Sequence, residues 1–141
     1  MATAVTPRAG WDDTGKLILR LAVAVLMLLH GIAKIKTGIG WMGGALGAIG
    51  LPAFIGYGVY VGEVVAPLFV IIGKFTRLAA LVIAFDMVMA IIVAQRDKVF
   101  ALNQGGGWAI ELEMLYMLGA VAIFFIGSGR YALSKGVGKW D

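Results

Sequence analysis

Four stretches of this chain are apolar over the roughly 17 to 25 residues that a helix needs to cross a hydrocarbon core of about 30 Å. They cover about 17–35, 53–72, 78–95 and 109–126. Backbone N–H and C=O groups in lipid must find partners within the segment, so each stretch predicts a helix. The expected fold is therefore all-α, an integral membrane four-helix bundle forming one domain over residues 1–141. Composition agrees: 61% hydrophobic and 14% charged residues, with a mean hydropathy of +0.94, lie outside the range of soluble domains.

The connecting segments are short. Residues 1–15, with Asp12 and Asp13 just before Lys16, are expected to form a tail with little fixed structure. Arg20 and His30 interrupt the first apolar run and no A-x-A site follows, which favours a retained helix over a signal peptide. Between Lys36 and Leu51 the chain is glycine-rich, with Trp41 and Met42 within it. A loop or short turn at the membrane interface is expected there, since Trp favours the headgroup level. Pro52 suits the first turn of the second helix, and Pro67 predicts a kink within it. Gly73 to Arg77 make a tight connection, Gly105 to Gly107 mark a loop before a fourth helix opening at Trp108, and a short tail runs from Gly127 to Asp141.

The basic residues set an orientation. Arg8, Lys16, Lys74, Arg77, Arg130, Lys135 and Lys139 fall on the side of the termini, against Lys34, Lys36, Arg96 and Lys98 opposite, which places both termini in the cytoplasm. The net charge of +4 is spread singly over the span ends. That pattern implies anchoring to a lipid bilayer and no nucleic-acid partner.

Several chemistries lack their residues. With no cysteine there is no thiolate nucleophile, C-x-x-C pair or iron–sulfur ligation, and one histidine excludes a bis-His haem within the chain. No G-x-G-x-x-G follows a strand, and Met87, Met89, Met114 and Met117 read as packing. No metal site, no covalent cofactor and no catalytic motif are expected.

What remains is a set of ionisable side chains inside the spans, each costing about 2.5 to 3.5 kcal/mol on insertion scales. Arg20, His30 and Lys34 lie in the first span, Glu63 in the second, Asp86 in the third, and Glu111 and Glu113 in the fourth. At about 100° per residue, the three basic residues share a sector of roughly 80°, expected to face inward. His30 and Lys34 share the outer half with Glu111 and Glu113, Glu63 and Asp86 sit near the midplane, and Arg20 is expected to snorkel at the cytoplasmic edge. Tyr60 precedes Glu63 by one turn and Tyr116 follows Glu113 by one turn, so each is placed to offer a hydroxyl beside a carboxylate. A quinone, flat and apolar with polar oxygens, suits that mixture. The same charges would equally serve to lock the helices together.

The segment Arg20 to Lys34, R-L-A-V-A-V-L-M-L-L-H-G-I-A-K, resembles the opening helix of the DoxX family. The likeness continues through Ile49 to Pro52, Glu63, the run Gly73 to Leu81, the loop Gly105 to Gly107 and the closing G-S-G-R-Y from Gly127 to Tyr131. Ser128 and Asp86 depart from the family pattern, the latter making the core more acidic. The resemblance implies a multi-pass protein of the bacterial inner membrane with an acid after the glycine loop, a place that spacing assigns to Glu111 over Glu113. It further implies a subunit or accessory of a quinone-linked oxidoreductase complex, partnered by other membrane subunits or by copies of itself, and not an enzyme alone. Two other readings stay open: an assembly protein binding a partner helix through Gly56, Ala79, Ala90, Gly119 and Ala120, and a transporter using Glu63 and Asp86 as a relay.

Overall fold

The structure is a computed structural model describing residues 9–141; Arg8 lies outside the described residues. It is helical, with no strand among the described residues. Helix α1 spans Ala9–Thr37, the short α2 Gly40–Gly47, α3 Ala53–Ile72, α4 Thr76–Lys98 and α5 Glu111–Ile126. Three of these, α1, α3 and α4, are long and apolar enough to cross a membrane.

Two boundaries differ from expectation. Helix α1 starts at Ala9, well before residue 17, because nothing between them stops a helix. Asp12 favours the first turn electrostatically, and Thr14 donates its hydroxyl to the Gly10 carbonyl at 2.7 Å. At the other end, α5 begins at Glu111 and has 16 residues, a length of about 24 Å. Residues expected in its first turn are held in the preceding loop. Asn103 Oδ1 accepts the N–H groups of Gly105 and Gly107, Leu102 pairs with Trp108, and the Trp108 indole donates to the Val99 carbonyl.

Helix α3 does not keep one winding. It opens as 3₁₀ at Ala53–Tyr57, passes through one α turn at Gly58–Tyr60 and a π turn at Val61–Val65, and ends as α-helix over Ala66–Ile72. Pro67 stands at the start of that last segment. Having no N–H, it cannot bond the Glu63 carbonyl four residues back. The departure from α geometry expected of Pro67 thus takes the form of a π turn that ends two residues upstream.

Small residues bring the helices together. Ala24, Ala80 and Ala120 are fully buried, whereas Leu26, Leu29, Leu115 and Leu118 are exposed. That inversion is what lipid demands, since close backbone approach holds membrane helices and apolar surface costs nothing there. Gly31 lies against the Glu63 carbonyl, and Gly119 against the Val23 side chain. Of the five small residues assigned to a partner helix, Gly56, Ala79 and Ala120 are buried inside this packing, while Ala90 and Gly119 are half-buried.

One end of the molecule is organised by Arg20, which is buried and does not snorkel. Its Nε donates to the Val70 carbonyl at 2.9 Å, Nη2 to Ile71 at 3.0 Å, and Nη1 to Ser128 at 2.6 Å and Tyr131 at 3.3 Å. The guanidinium thereby satisfies carbonyls left open at the C-terminus of α3, where a cation also meets the favourable end of the helix dipole. Gly73, at φ 76°, leaves room for it: a Cβ there would stand 2.8 Å from Nη2.

Residues 127–141 fold onto this end and are not a loose tail. Leu133 and Ser134 donate backbone N–H groups to Ile72 and Gly73, the Ser128 and Ser134 hydroxyls meet at 3.0 Å, and Asp141 Oδ1 accepts the Thr76 N–H at the start of α4. Asp13 of α1 joins through Arg130.

Arg20→Leu is expected to cost about 3 kcal/mol or more, because each hydrogen bond from a charged donor is worth roughly 1.5–3 kcal/mol and the carbonyls stay buried. Arg20→Lys is expected to recover little of it, since an ammonium lacks the fork that reaches two elements at once. Unfolding midpoints of the purified variants in detergent measure both.

Candidate functional site

The polar side chains sort into two places. Arg20 belongs to the end just described. The others gather around Glu63, which the π turn of α3 carries near mid-helix and which is 3% exposed. One turn of π winding adds a residue to the ring and redirects the side chains on either side of it, a device frequent at functional sites.

Lys34, in the last turn of α1, reaches Glu63 Oε1 and forms an ion pair that is also a hydrogen bond. Gly31, one turn earlier on α1, makes this possible by admitting the Glu63 carbonyl where a side chain would stand. Gly62 plays the same part toward α4: a Cβ there would collide with the Asp86 side chain, so only glycine lets Asp86 lie against the π turn. Glu63 Oε2 and Asp86 Oδ2 are both buried without a hydrogen-bond partner. One cation thus stands beside two carboxylates.

Glu113 of α5 completes the group. Gln95, in a second π turn at Ile91–Gln95, donates its amide to Glu113 Oε1 at 3.3 Å, while Gln95 Oε1 is buried and unpartnered. The acid assigned from spacing, Glu111, is exposed and lies against Gly107 of the loop. The two glutamates are two residues apart, about 200° around a helix. They cannot both face inward, and it is Glu113 that does.

His30, expected on the inward sector, is exposed at the edge of the group and makes no direct hydrogen bond to any of its carboxylates. Its ring meets the Tyr116 ring edge-on, with centroids 5.8 Å apart. Tyr116 therefore shares the site through His30 and Glu113. Tyr60 does not pair with Glu63; its hydroxyl donates to the Lys34 carbonyl at 3.3 Å, which ties α3 to α1.

Two cavities meet at the ion pair. The larger, about 800 Å³, lies between α2, α3 and α4. Its walls are mostly apolar, with Trp41, Val59, Phe85 and Met89 among them, and its polar side chains are Lys34, Glu63, Asp86, Gln95 and Glu113. The smaller, about 100 Å³, lies between α1, α4 and α5 and contains His30, Tyr116, Glu113 and the same Lys34 and Glu63. Among the described residues, no three metal-ligating side chains are grouped to hold an ion. The larger volume is that of a small-molecule site, apolar with a few convergent polar groups. The mouth-side helix α2 and its Trp41 were legible only as interface material; nothing in the glycine-rich stretch signals that it walls a cavity.

Comparison with known proteins places this arrangement in a family. The DoxX family model matches residues 15–96. The chain belongs to the DoxX family. That match covers α1 to α4 almost completely, and with them Lys34, Glu63 and Asp86, but not Glu113 or Tyr116. An uncharacterized protein of Haemophilus influenzae is 36% identical over 120 residues, 83% of this chain and 86% of that protein. The Bacillus subtilis protein named "Putative oxidoreductase CatD" is 28% identical over 130 residues, 90% of each chain. An uncharacterized membrane protein of Mycobacterium tuberculosis is 29% identical over 133 residues, 86% of this chain and 80% of that one. No solved structure gives a significant match. With its family and its apolar helices, the chain is a membrane protein.

The ion pair makes a sharp test of the site. Lys34→Met leaves Glu63 buried with no cation and is expected to destabilise the protein by about 3 kcal/mol, the low end for stranding one partner of a buried pair. Adding Glu63→Leu should recover most of that loss. Detergent unfolding of the two single variants and the double variant measures the coupling, and additive losses would mean that the residues do not act as a pair.

Proposed function

We propose that this DoxX-family protein is a small membrane subunit of an oxidoreductase assembly and that the cavity between α2, α3 and α4 receives a quinone. The observation that carries the reading is the pairing of about 800 Å³ of mostly apolar space with a polar group at its inner wall, where Lys34, Glu63 and Asp86 meet. A quinone ring and the start of its isoprenoid chain need such space, and the ring oxygens need hydrogen-bonding groups at one end only. The printed name of the Bacillus subtilis relative points to redox chemistry as well.

In this reading the chain supplies binding and proton handling, not electrons. It offers no redox-active thiol, since cysteine is absent. Lys34 fixes the position of Glu63, Asp86 and Glu113 line the cavity as proton-carrying carboxyls, and His30 with Tyr116 stands behind them on the side of α5. The electron donor is a partner subunit.

The same reading sets the topology. Helices α1, α3 and α4 cross the membrane, and α5 crosses as a fourth, its shorter length met by local thinning of the bilayer. The end built around Arg20 and the folded 127–141 segment, with Lys16, Lys74, Arg77, Arg130, Lys135 and Lys139 near it, faces the cytoplasm, so that both termini lie on the cytoplasmic side of the bacterial inner membrane. An assembly role through a small-residue face is less well supported, because Gly56, Ala79 and Ala120 are already buried.

Equilibrium binding of tritiated ubiquinone-1 to the protein in lipid nanodiscs tests the proposal. Saturable binding near one site per chain is expected, weakened at least tenfold by Val59→Trp, which fills the cavity from its wall. Partition into the lipid alone, unchanged by that substitution, would rule the site out.

A further inference from the structure

His30 and Tyr116 line the smaller cavity and not the larger one, whereas Lys34, Glu63 and Glu113 line both. The three shared residues are therefore the partition between the two spaces. Gln95, on the larger side, donates to Glu113 Oε1 at 3.3 Å, so the Glu113 carboxyl is in reach of that side while bordering the other. Leu112 and Glu113 belong to the first turn of α5, which sets the smaller cavity beside an end of that helix and not midway along it. His30 is exposed there.

The smaller cavity suits water and not a ligand. Its volume of about 100 Å³ holds about three water molecules at roughly 30 Å³ each and falls short of what a quinone ring needs. Five of its nine lining residues carry polar side chains, namely His30, Lys34, Glu63, Glu113 and Tyr116, and a buried water needs about two to four polar partners. Helix α4 adds only Met87 and Ala90, so every titratable group on these walls comes from α1, α3 or α5. A quinone that receives two electrons from a partner subunit must also take up two protons. The mostly apolar walls of its own cavity are poorly suited to bring them in, and the polar space behind the partition is well suited.

Resting on the quinone reading above for its purpose, we infer that the smaller cavity is a water-filled proton passage, with His30 at its mouth and Glu113 as the carboxyl that hands protons across the partition. Imidazole takes up and releases protons near neutral pH, and exposure leaves the His30 ring open to exchange. A proton taken up by His30 passes to water in the cavity and from water to the Glu113 carboxylate. The protonated carboxyl then gives it to the reduced ring oxygen in the larger cavity, and the second proton follows by the same steps while both electrons come from the partner. Lys34, held by Glu63, stays out of the relay. Tyr116, edge-on to His30 with ring centroids 5.8 Å apart, positions the imidazole. His30 thus acts at a distance from the ligand, through water and Glu113, and does not touch the quinone.

The passage can be tested without quinone, on the full chain in nanodiscs. After transfer to deuterated water, infrared spectroscopy follows the shift of the C=O stretch of protonated carboxyls as they exchange, and the part of the band lost in Glu113→Gln belongs to Glu113. His30→Ala is expected to slow that exchange at least tenfold. Imidazole in the buffer should restore at least half of the lost rate, because a diffusible base takes the place of the exposed ring, a rescue that a merely structural role would not give. Leu112→Trp, which narrows the cavity from α5, should slow exchange at least threefold without responding to imidazole. A normal rate in both variants, or a slow rate in His30→Ala that imidazole does not relieve, would overturn the inference. So would exchange slowed only by Val59→Trp, since protons would then enter through the larger cavity, or the lack of any exchanging Glu113 band. Failure of ubiquinone-1 to bind would overturn the quinone reading alone and leave the passage as a proton route to the buried carboxyls.

Discussion

The contact between Lys34 and Glu63 is the one on which the middle of this molecule depends. A carboxylate within a membrane helix is tolerated only with a partner, and α1 supplies it from a lysine near its C-terminal end. Everything near the pair is arranged to permit that approach. Gly31 brings α1 onto the Glu63 carbonyl, and that carbonyl is one that Pro67 cannot bond. The π turn at Val61–Val65 and the bare backbone of Gly62 then allow Asp86 of α4 to come close on the other side. Two glycines, a proline and a π turn thus converge on one ion pair. The cavity is the space left where α3 unwinds from regular α geometry.

The opposite end solves a different electrostatic problem by the same logic. There the unsatisfied groups are helix-end carbonyls, and the answering cation is Arg20, whose planar fork reaches two carbonyls of α3 and two of the closing segment at once. Lys34 and Arg20 therefore lie on one helix and divide the labour. Arg20 fixes the frame. Lys34 is left partly exposed to the cavity and available to a ligand.

How much of this could be read beforehand follows from what sets each feature. The long apolar helices were legible because length and the exclusion of polar residues are dictated by the bilayer, and α3 runs over the expected 53–72. Lys34, Glu63 and Asp86 stood out because a charge in an apolar run is expensive wherever it lies. The clamp at Arg20 was not legible: its partners are backbone carbonyls, which every residue has, and one of them lies 108 residues away. The start of α5 was misjudged because Trp108, Ala109 and Ile110 are apolar, while the side chain that keeps them in a loop is Asn103, a short-range cap with no periodicity. Spacing to the closing G-S-G-R-Y favoured Glu111, but which of the two glutamates turns inward is set by the packing of α5, which spacing does not carry.

The central claim is that a quinone-type molecule sits between α2, α3 and α4 against the Lys34–Glu63 pair, and photolabelling locates it most directly. An azido-quinone irradiated with the protein in native membranes should attach to the peptides carrying Trp41–Met42 and Phe85–Met89, which both line the cavity, and excess unlabelled quinone should suppress the labelling. Labels spread over the outward residues Leu26, Leu29 and Leu115, undiminished by competitor, would contradict the account.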